Sequence, residues 1–355
     1  MNKIKALVLC SALLALSLKP SHAAPLLSEG FETYNPGALD ADYPGANAGT
    51  NGGPGTAWWS VFPPSFFVVN AETYTIPGVS TNLVSPHGGA NMVRGDIGGT
   101  ASDTIYYNLA YRLNATNGFS GNLMLDWWFY DPVGTNVNAD NGVFPSQYQD
   151  TISLISYPNV PTNTDYFLDS FNQAANPGSP IEALSLGAAS LQGAGFIATN
   201  YQAQVFNATG GYNPDGWFNL TNNIRSVGWH HARIAVSPPA SNNTAAVAFY
   251  LDDLANPALT NSTAVTNGFN VIEMDASYGS FTGYFDDLAF SGPVLPANLS
   301  IIASAGKAIV TWPGGGWILQ SSTNLAGTNF MDVLAATSPY TNIITSSPLF
   351  FRLRQ

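Results

Sequence analysis

The sequence predicts an all-β protein made of two packed sheets, followed by a small second β unit. Three observations predict it. Short apolar runs alternate with polar residues at period two, and clusters of Asn, Gly, Ser, Thr and Pro separate them. The 34 Gly and 24 Pro cut the chain too often for long helices. Roughly a dozen such runs precede residue 292, which is more than one twisted sheet usually carries.

Residues 1–23 read as a secretory signal. Lys3 and Lys5 lead an apolar run, Ala6 to Leu18, too short to span a bilayer, and Ser21-His22-Ala23 offers small residues for cleavage after Ala23. Residues 24–292 form the large domain. Its opening strand carries Ser28-Glu29-Gly30-Phe31-Glu32, and a Gly- and Pro-rich surface loop, Asn35 to Gly55, follows. Strands are expected at 57–62, 65–69, 91–94 and 104–113. The run Leu123-Met124-Leu125-Asp126-Trp127-Trp128-Phe129-Tyr130 is apolar on both faces and belongs in the centre of a sheet. Further strands are expected at 151–156, 183–187, 201–206, 215–220, 228–236, 245–253 and 284–290, and Ile181 to Leu191 is the one segment with helical character. Residues 293–298 read as a linker and 299–355 as the small β unit, whose short length makes an independent core marginal.

Composition removes several classes of function. Without the signal the chain keeps one Lys and six Arg against 22 acids, a formal charge of −15. Such a surface has no basic stripe to neutralise phosphates, so nucleic acid and anionic membranes are not expected partners. No later stretch is long and apolar enough to span a membrane as a helix. Cys10 leaves with the signal, so a secreted chain would have no disulfide and would depend on its core, and on bound ions, for stability.

The large domain resembles the laminin-G-like and concanavalin-A-like jelly rolls. The resemblance is carried by Phe31-Glu32, by Gly228-Trp229-His230-His231-Ala232-Arg233 followed by Phe249-Tyr250-Leu251-Asp252-Asp253, and by Tyr284-Phe285-Asp286-Asp287-Leu288. It covers about residues 26 to 292 and implies a two-sheet jelly-roll sandwich. In similar modules the opening Glu and closing Asp hold a structural calcium ion, so the resemblance makes Glu32, Asp286 and Asp287 the expected metal ligands. The small unit resembles a module that ends many secreted bacterial proteins, through Trp317-Ile318-Leu319-Gln320-Ser321-Ser322-Thr323-Asn324-Leu325 and Phe350-Phe351-Arg352-Leu353-Arg354. That resemblance implies attachment or sorting and no chemistry.

For a ligand, the aromatic residues give the clue. Trp58, Trp59, Trp127, Trp128 and Trp217 are candidates for stacking on sugar faces, although neighbours in a strand point to opposite sides and one of each pair belongs in the core. Ile272-Glu273-Met274-Asp275 puts alternate carboxylates on one strand face, as in laminarinase-type hydrolases, but no Glu stands at the third position of that motif. His230 and His231 face opposite ways in a strand and cannot share a metal. The sequence therefore predicts a secreted or cell-surface monomer that binds a polysaccharide or surface polymer without catalysis, with calcium as a structural ion. The competing classes are a glycan hydrolase or lyase on the same fold, and an adhesion protein.

Overall fold

A computed structural model describes residues 25–39, 58–60, 66–76, 80–95, 104–113, 118–136, 148–160, 179–190, 199–207, 216–265, 268–277, 282–293, 299–304, 306–312, 318–324, 330–333, 336–343 and 348–354. The expected signal segment, most of the first long loop and residues 294–298 of the expected linker lie outside them.

The strands run in order β1 (Leu27–Glu29), β2 (Gly37–Ala38), β3 (Trp58–Ser60), β4 (Phe66–Val69), β5 (Glu72–Ile76), β6 (Ser80–Val84), β7 (Met92–Gly95) and β8 (Thr104–Asn108). One helical turn, α1 (Leu109–Arg112), is capped by the Asn108 side chain, which accepts from the Tyr111 N–H. Then come β9 (Leu123–Asp131), β10 (Tyr148–Ser156), β11 (Glu182–Ser190), β12 (Asn200–Asn207), β13 (Trp217–Ile224) and β14 (Gly228–Val236). The large unit closes with β15 (Thr244–Leu251), β16 (Leu259–Ala264), β17 (Val271–Ser277) and β18 (Gly283–Ser291). The remaining strands are β19 (Ser300–Ser304), β20 (Lys307–Thr311), β21 (Ile318–Ser322), β22 (Met331–Asp332), β23 (Tyr340–Ile343) and β24 (Phe350–Arg354).

The expected two-sheet jelly-roll sandwich is present. One sheet has nine strands in the order β16-β15-β14-β9-β18-β7-β4-β2, with β1 also paired to β18. The other has seven, in the order β13-β12-β11-β10-β17-β8-β3. Alternation builds the core: Leu123, Leu125, Trp127 and Phe129 of β9 point inward with Ile234 of β14 and Phe249 of β15. They meet Ile152, Leu154, Leu184, Leu186, Ile272 and Met274 of the facing sheet in one buried cluster. Each large side chain enclosed this way stabilises the fold by about 1.5–3 kcal/mol.

The strand expected at 183–187 is present and runs over 182–190, so the helical character offered by 181–191 is not realised. Leu184, Leu186 and Ala188 alternate inward, and β11 is paired along both edges, so tertiary pairing overrides the local propensity of its Ala and Leu residues.

One polar network lies inside the sandwich. Arg225 donates from Nε to Asp131 Oδ2 (2.8 Å) and from a terminal nitrogen to Oδ1 (3.0 Å), with both side chains enclosed. The N–H groups of Val133 and Gly134 and the Tyr201 hydroxyl complete the carboxylate's shell. Beside it, His230 points inward from β14 with one ring nitrogen 2.8 Å from Asp252 Oδ2 and the other 2.8 Å from the Ser226 carbonyl.

Strands β19 to β24 form two separate three-stranded sheets around their own small core of Val310, Trp312 and Leu319. Among the described residues no helix is long and apolar enough to cross a membrane.

Candidate functional site

The first and last strands of the sandwich do meet: β1 pairs with β18 through Leu27↔Phe290, Ser28↔Ala289 and Glu29↔Leu288. Strict alternation would send Asp286 and Asp287 to opposite faces. Instead β18 slips register against β9 between Asp286 and Ala289, and Asp287 takes a positive φ of 48°. This bulge turns both carboxylates toward the Ser85–Asn91 segment. Asp286 Oδ2 accepts from the N–H groups of His87 (2.9 Å) and Gly88 (3.1 Å), and Asp287 Oδ2 lies 2.7 Å from His87 Nδ1. Glu32 Oε1 accepts from Ala90 N (2.9 Å) and Asn91 N (3.0 Å). Gly88 and Gly89 make the close approach feasible, since a Cβ at Gly89 (φ +60°) would run into the Glu32 carboxylate. Burial pushes the Asp286 carboxyl up to about 6, with the Asp287 charge adding and the three backbone N–H bonds opposing.

The three expected metal ligands thus converge on one loop, where they clamp backbone N–H groups. Calcium needs six to eight oxygens, and N–H donors present it with the wrong sign of charge. Among the described residues no set of three His, Cys, Asp or Glu stands as a metal cluster. As placed, the seam is short of a calcium site.

The candidate aromatics separate by depth. Trp58 and Trp127 have no exposure and are core residues. Trp128 lies on the outer face of the nine-stranded sheet, stacked between His87 (3.7 Å between ring centres) and His231 (4.6 Å), so its ring faces are already covered. The Trp59 side chain lies outside the described residues. Trp217 stands half-buried on the edge strand β13, and its Nε1 makes no hydrogen bond among the described residues.

Where Trp217 stands, a wider arrangement becomes visible on the outer face of the seven-stranded sheet. Strand register aligns Tyr106, Glu273, Ser153, Ser185, Gln204 and Trp217 in one row across six strands. The same register aligns Thr104, Asp275, Thr151, Gly187, Gln202 and Asn219 in a second row. Hydrogen bonds run along each row: Ser153 Oγ donates to Ser185 Oγ (2.7 Å) and Ser185 Oγ to Gln204 Oε1 (3.3 Å) in the first, and Gln202 Nε2 to Asn219 Oδ1 (3.3 Å) in the second.

These residues point away from the core, yet Thr151, Ser153, Ser185 and Gln202 are at most 2% exposed while Tyr106, Glu273, Gln204, Trp217 and Asn219 are half-buried, so the enclosed members sit as the floor of a recess between partly exposed neighbours. Thr151 Oγ1 is fully enclosed there and has no hydrogen-bond partner among the described residues. An unpaired buried hydroxyl costs about 1–3 kcal/mol and calls for a partner. Gly187, at φ +155°, sits where a Cβ would strike the Asp150 carbonyl, so the second row carries no side chain at its middle. Burial raises the Glu273 carboxyl well above the usual range, and the adjacent Asp275 charge raises it further, while a Tyr157 hydrogen bond opposes.

No family model matches the chain, and no curated protein matches it. Among solved structures it is similar to the exoplasmic/lumenal domain of VIP36 in a Ca2+/Man3GlcNAc-bound form, at 10% identity and a TM-score of 0.33, over 65% of this chain and 85% of that one. It is also similar to lectin II from Ulex europaeus, at 10% identity and a TM-score of 0.36, over 76% of this chain and 100% of that one. Lectin I-B4 from Griffonia simplicifolia, in a metal-free form, matches at 12% identity and a TM-score of 0.29, over 66% and 96% of the two chains. All three are loose likenesses.

Proposed function

We propose that this protein binds a glycan or similar hydroxyl-rich polymer outside the cell, in the recess on its seven-stranded sheet. The observation that carries the reading is the pair of polar rows, six strands wide, with the enclosed and unpartnered Thr151 hydroxyl among them. Hydroxyls, amides and carboxylates set on a rigid sheet between the Tyr106 and Trp217 rings suit a ligand that offers both donors and apolar ring faces. A glycan array, followed by calorimetry on any hit, tests it. Gln204→Ala and Thr151→Val are expected to weaken binding about tenfold with an unchanged circular dichroism spectrum. Full affinity in both variants would move the site elsewhere.

A hydrolase is the second reading, favoured by Glu273 and Asp275 standing two residues apart on the outer face of one strand. Release of reducing ends from a bound glycan, abolished in Glu273→Gln, would establish it. Calcium at the first-to-last-strand seam has its own test. A melting temperature raised by Ca²⁺ over EDTA, and a rise lost in Glu32→Gln, would place an ion there. Equal melting temperatures leave the N–H clamp as the seam's role.

A further inference from the structure

Resting on that glycan reading, we infer that the recess takes an uncharged, hydroxyl-rich chain several sugars long and rejects anionic glycans. The sign of the site follows from where the cations are. From Leu113 to Ile224 the sequence contains no Lys, Arg or His, and the same holds from Ile234 to Gly306. These two stretches supply β10 to β13 and β17, five of the seven strands of the sheet, together with every connection between β10 and β13. Strands β3 and β8 carry no basic residue either.

The seven basic or imidazole side chains of residues 24–292 have other places. His87 is engaged by Asp287, Arg94 by Glu72, Arg225 by Asp131, His230 by Asp252, and Arg233 by Asp126. His231 stacks on Trp128 on the outer face of the opposite sheet, and Arg112 closes α1 beyond the end of β8, over the Tyr111 ring.

The recess therefore offers carboxyl groups, hydroxyls and amides, and no cation of residues 24–292 to answer a uronate, sulfate or phosphate. A ligand anion in the rows would face the Asp275 carboxylate in a poorly hydrated setting, where like charges repel far more than in water. A hydroxyl, in contrast, can donate to a carboxylate and accept from Thr151. Six strands give five gaps of about 4.8 Å, so the rows run about 24 Å and favour a chain over a single sugar.

Binding to paired polymers tests the inference by affinity electrophoresis: hydroxyethyl-cellulose with carboxymethyl-cellulose, and dextran with dextran sulfate, plus chitosan as a cationic polymer. The wild-type chain is expected to bind a neutral member about tenfold or more tightly than its anionic partner at low salt, with the gap shrinking as salt rises. Gln204→Ala and Thr151→Val should weaken the neutral interaction, which places it in the recess. The double variant Glu273→Gln, Asp275→Asn should narrow the neutral-to-anionic gap. Tighter binding to an anionic member or to chitosan, or a neutral preference untouched by Gln204→Ala and Thr151→Val, overturns the inference and leaves glycan binding standing. No binding to any of the five polymers and no hit on the array overturns both.

Discussion

Asp131 and Asp150 are both enclosed in the sandwich, and their surroundings drive them in opposite directions. Burial alone would raise Asp131, but the Arg225 charge and its hydrogen bonds, with the N–H groups of Gly134 and Val133, hold it below the usual carboxylate range. Its stability contribution is complete above the unfolded-state value and lost as pH falls through the lower folded one. Removing the partner strands a charge, so Arg225→Ala should cost about 3–5 kcal/mol in urea unfolding at pH 7. Asp150 accepts no hydrogen bond among the described residues, and burial lifts it well above its ordinary value, with Asp131 and Asp275 adding to the rise. Glu273 is lifted in the same way. For these two the sign reverses: the unfolded carboxyl ionises first, so rising pH above the ordinary carboxylate range favours the unfolded chain. Glu273→Gln should therefore raise the melting temperature at pH 7 while weakening glycan binding. A carboxyl kept at a cost to stability marks a functional position more sharply than its exposure does. A variant that is less stable and binds normally would make Glu273 an ordinary structural residue.

At the scale of elements, the seam between β1 and β18 depends on a loop that only glycine can shape. Gly89→Ala combines a positive φ with a Cβ inside the Glu32 carboxylate, and a cost of about 1–3 kcal/mol is expected from chemical denaturation. Gly121→Ala also has a positive φ but only ordinary side-chain contacts with Pro293, so it should cost less. Alternation made most strands legible, from Leu123-Met124-Leu125-Asp126 to the inward His230 and outward His231. It also told that one Trp of each adjacent pair would be core. It failed where geometry departs from period two: the bulge at Asp286-Asp287 puts Tyr284 and Asp286 outside while Leu288 and Phe290 go inside. The β5–β6 hairpin and β16 escaped notice because their Thr, Asn and Ser residues resemble loop composition. The recess was not legible for a different reason. Glu273-Met274-Asp275 stood out as alternating carboxylates, but Ser153, Ser185 and Gln204 acquire meaning only from register across strands distant in sequence, which no single stretch encodes.

For the molecule as a whole, the buried imidazole of His230 links folding to neutral pH. Burial would lower it, but hydrogen bonds to Asp252 and the Ser226 carbonyl, with the Asp252 charge, leave it raised. Both ring nitrogens face acceptors, which only the protonated ring can satisfy. The stabilisation is therefore fully present below the unfolded-state value of 6.5 and fades as pH rises through the folded one. Its position decides how far the effect travels: β14 lies between β9 and β15 in the nine-stranded sheet, and the His230 ring packs on Phe129 and on Tyr201 of the facing sheet. Loosening it loosens the contact between the two sheets. The small C-terminal unit has separate sheets and its own core of Val310, Trp312 and Leu319, so it should not share this dependence. We expect a chain ending at Pro293 to keep the main unfolding transition of the full chain and the same decline above neutral pH. His230→Gln should flatten that decline in both lengths of chain, by on the order of 1 kcal/mol. If truncation instead lowered the main transition by many degrees, the small unit would be part of the sandwich's folding unit, and its core too small to stand apart.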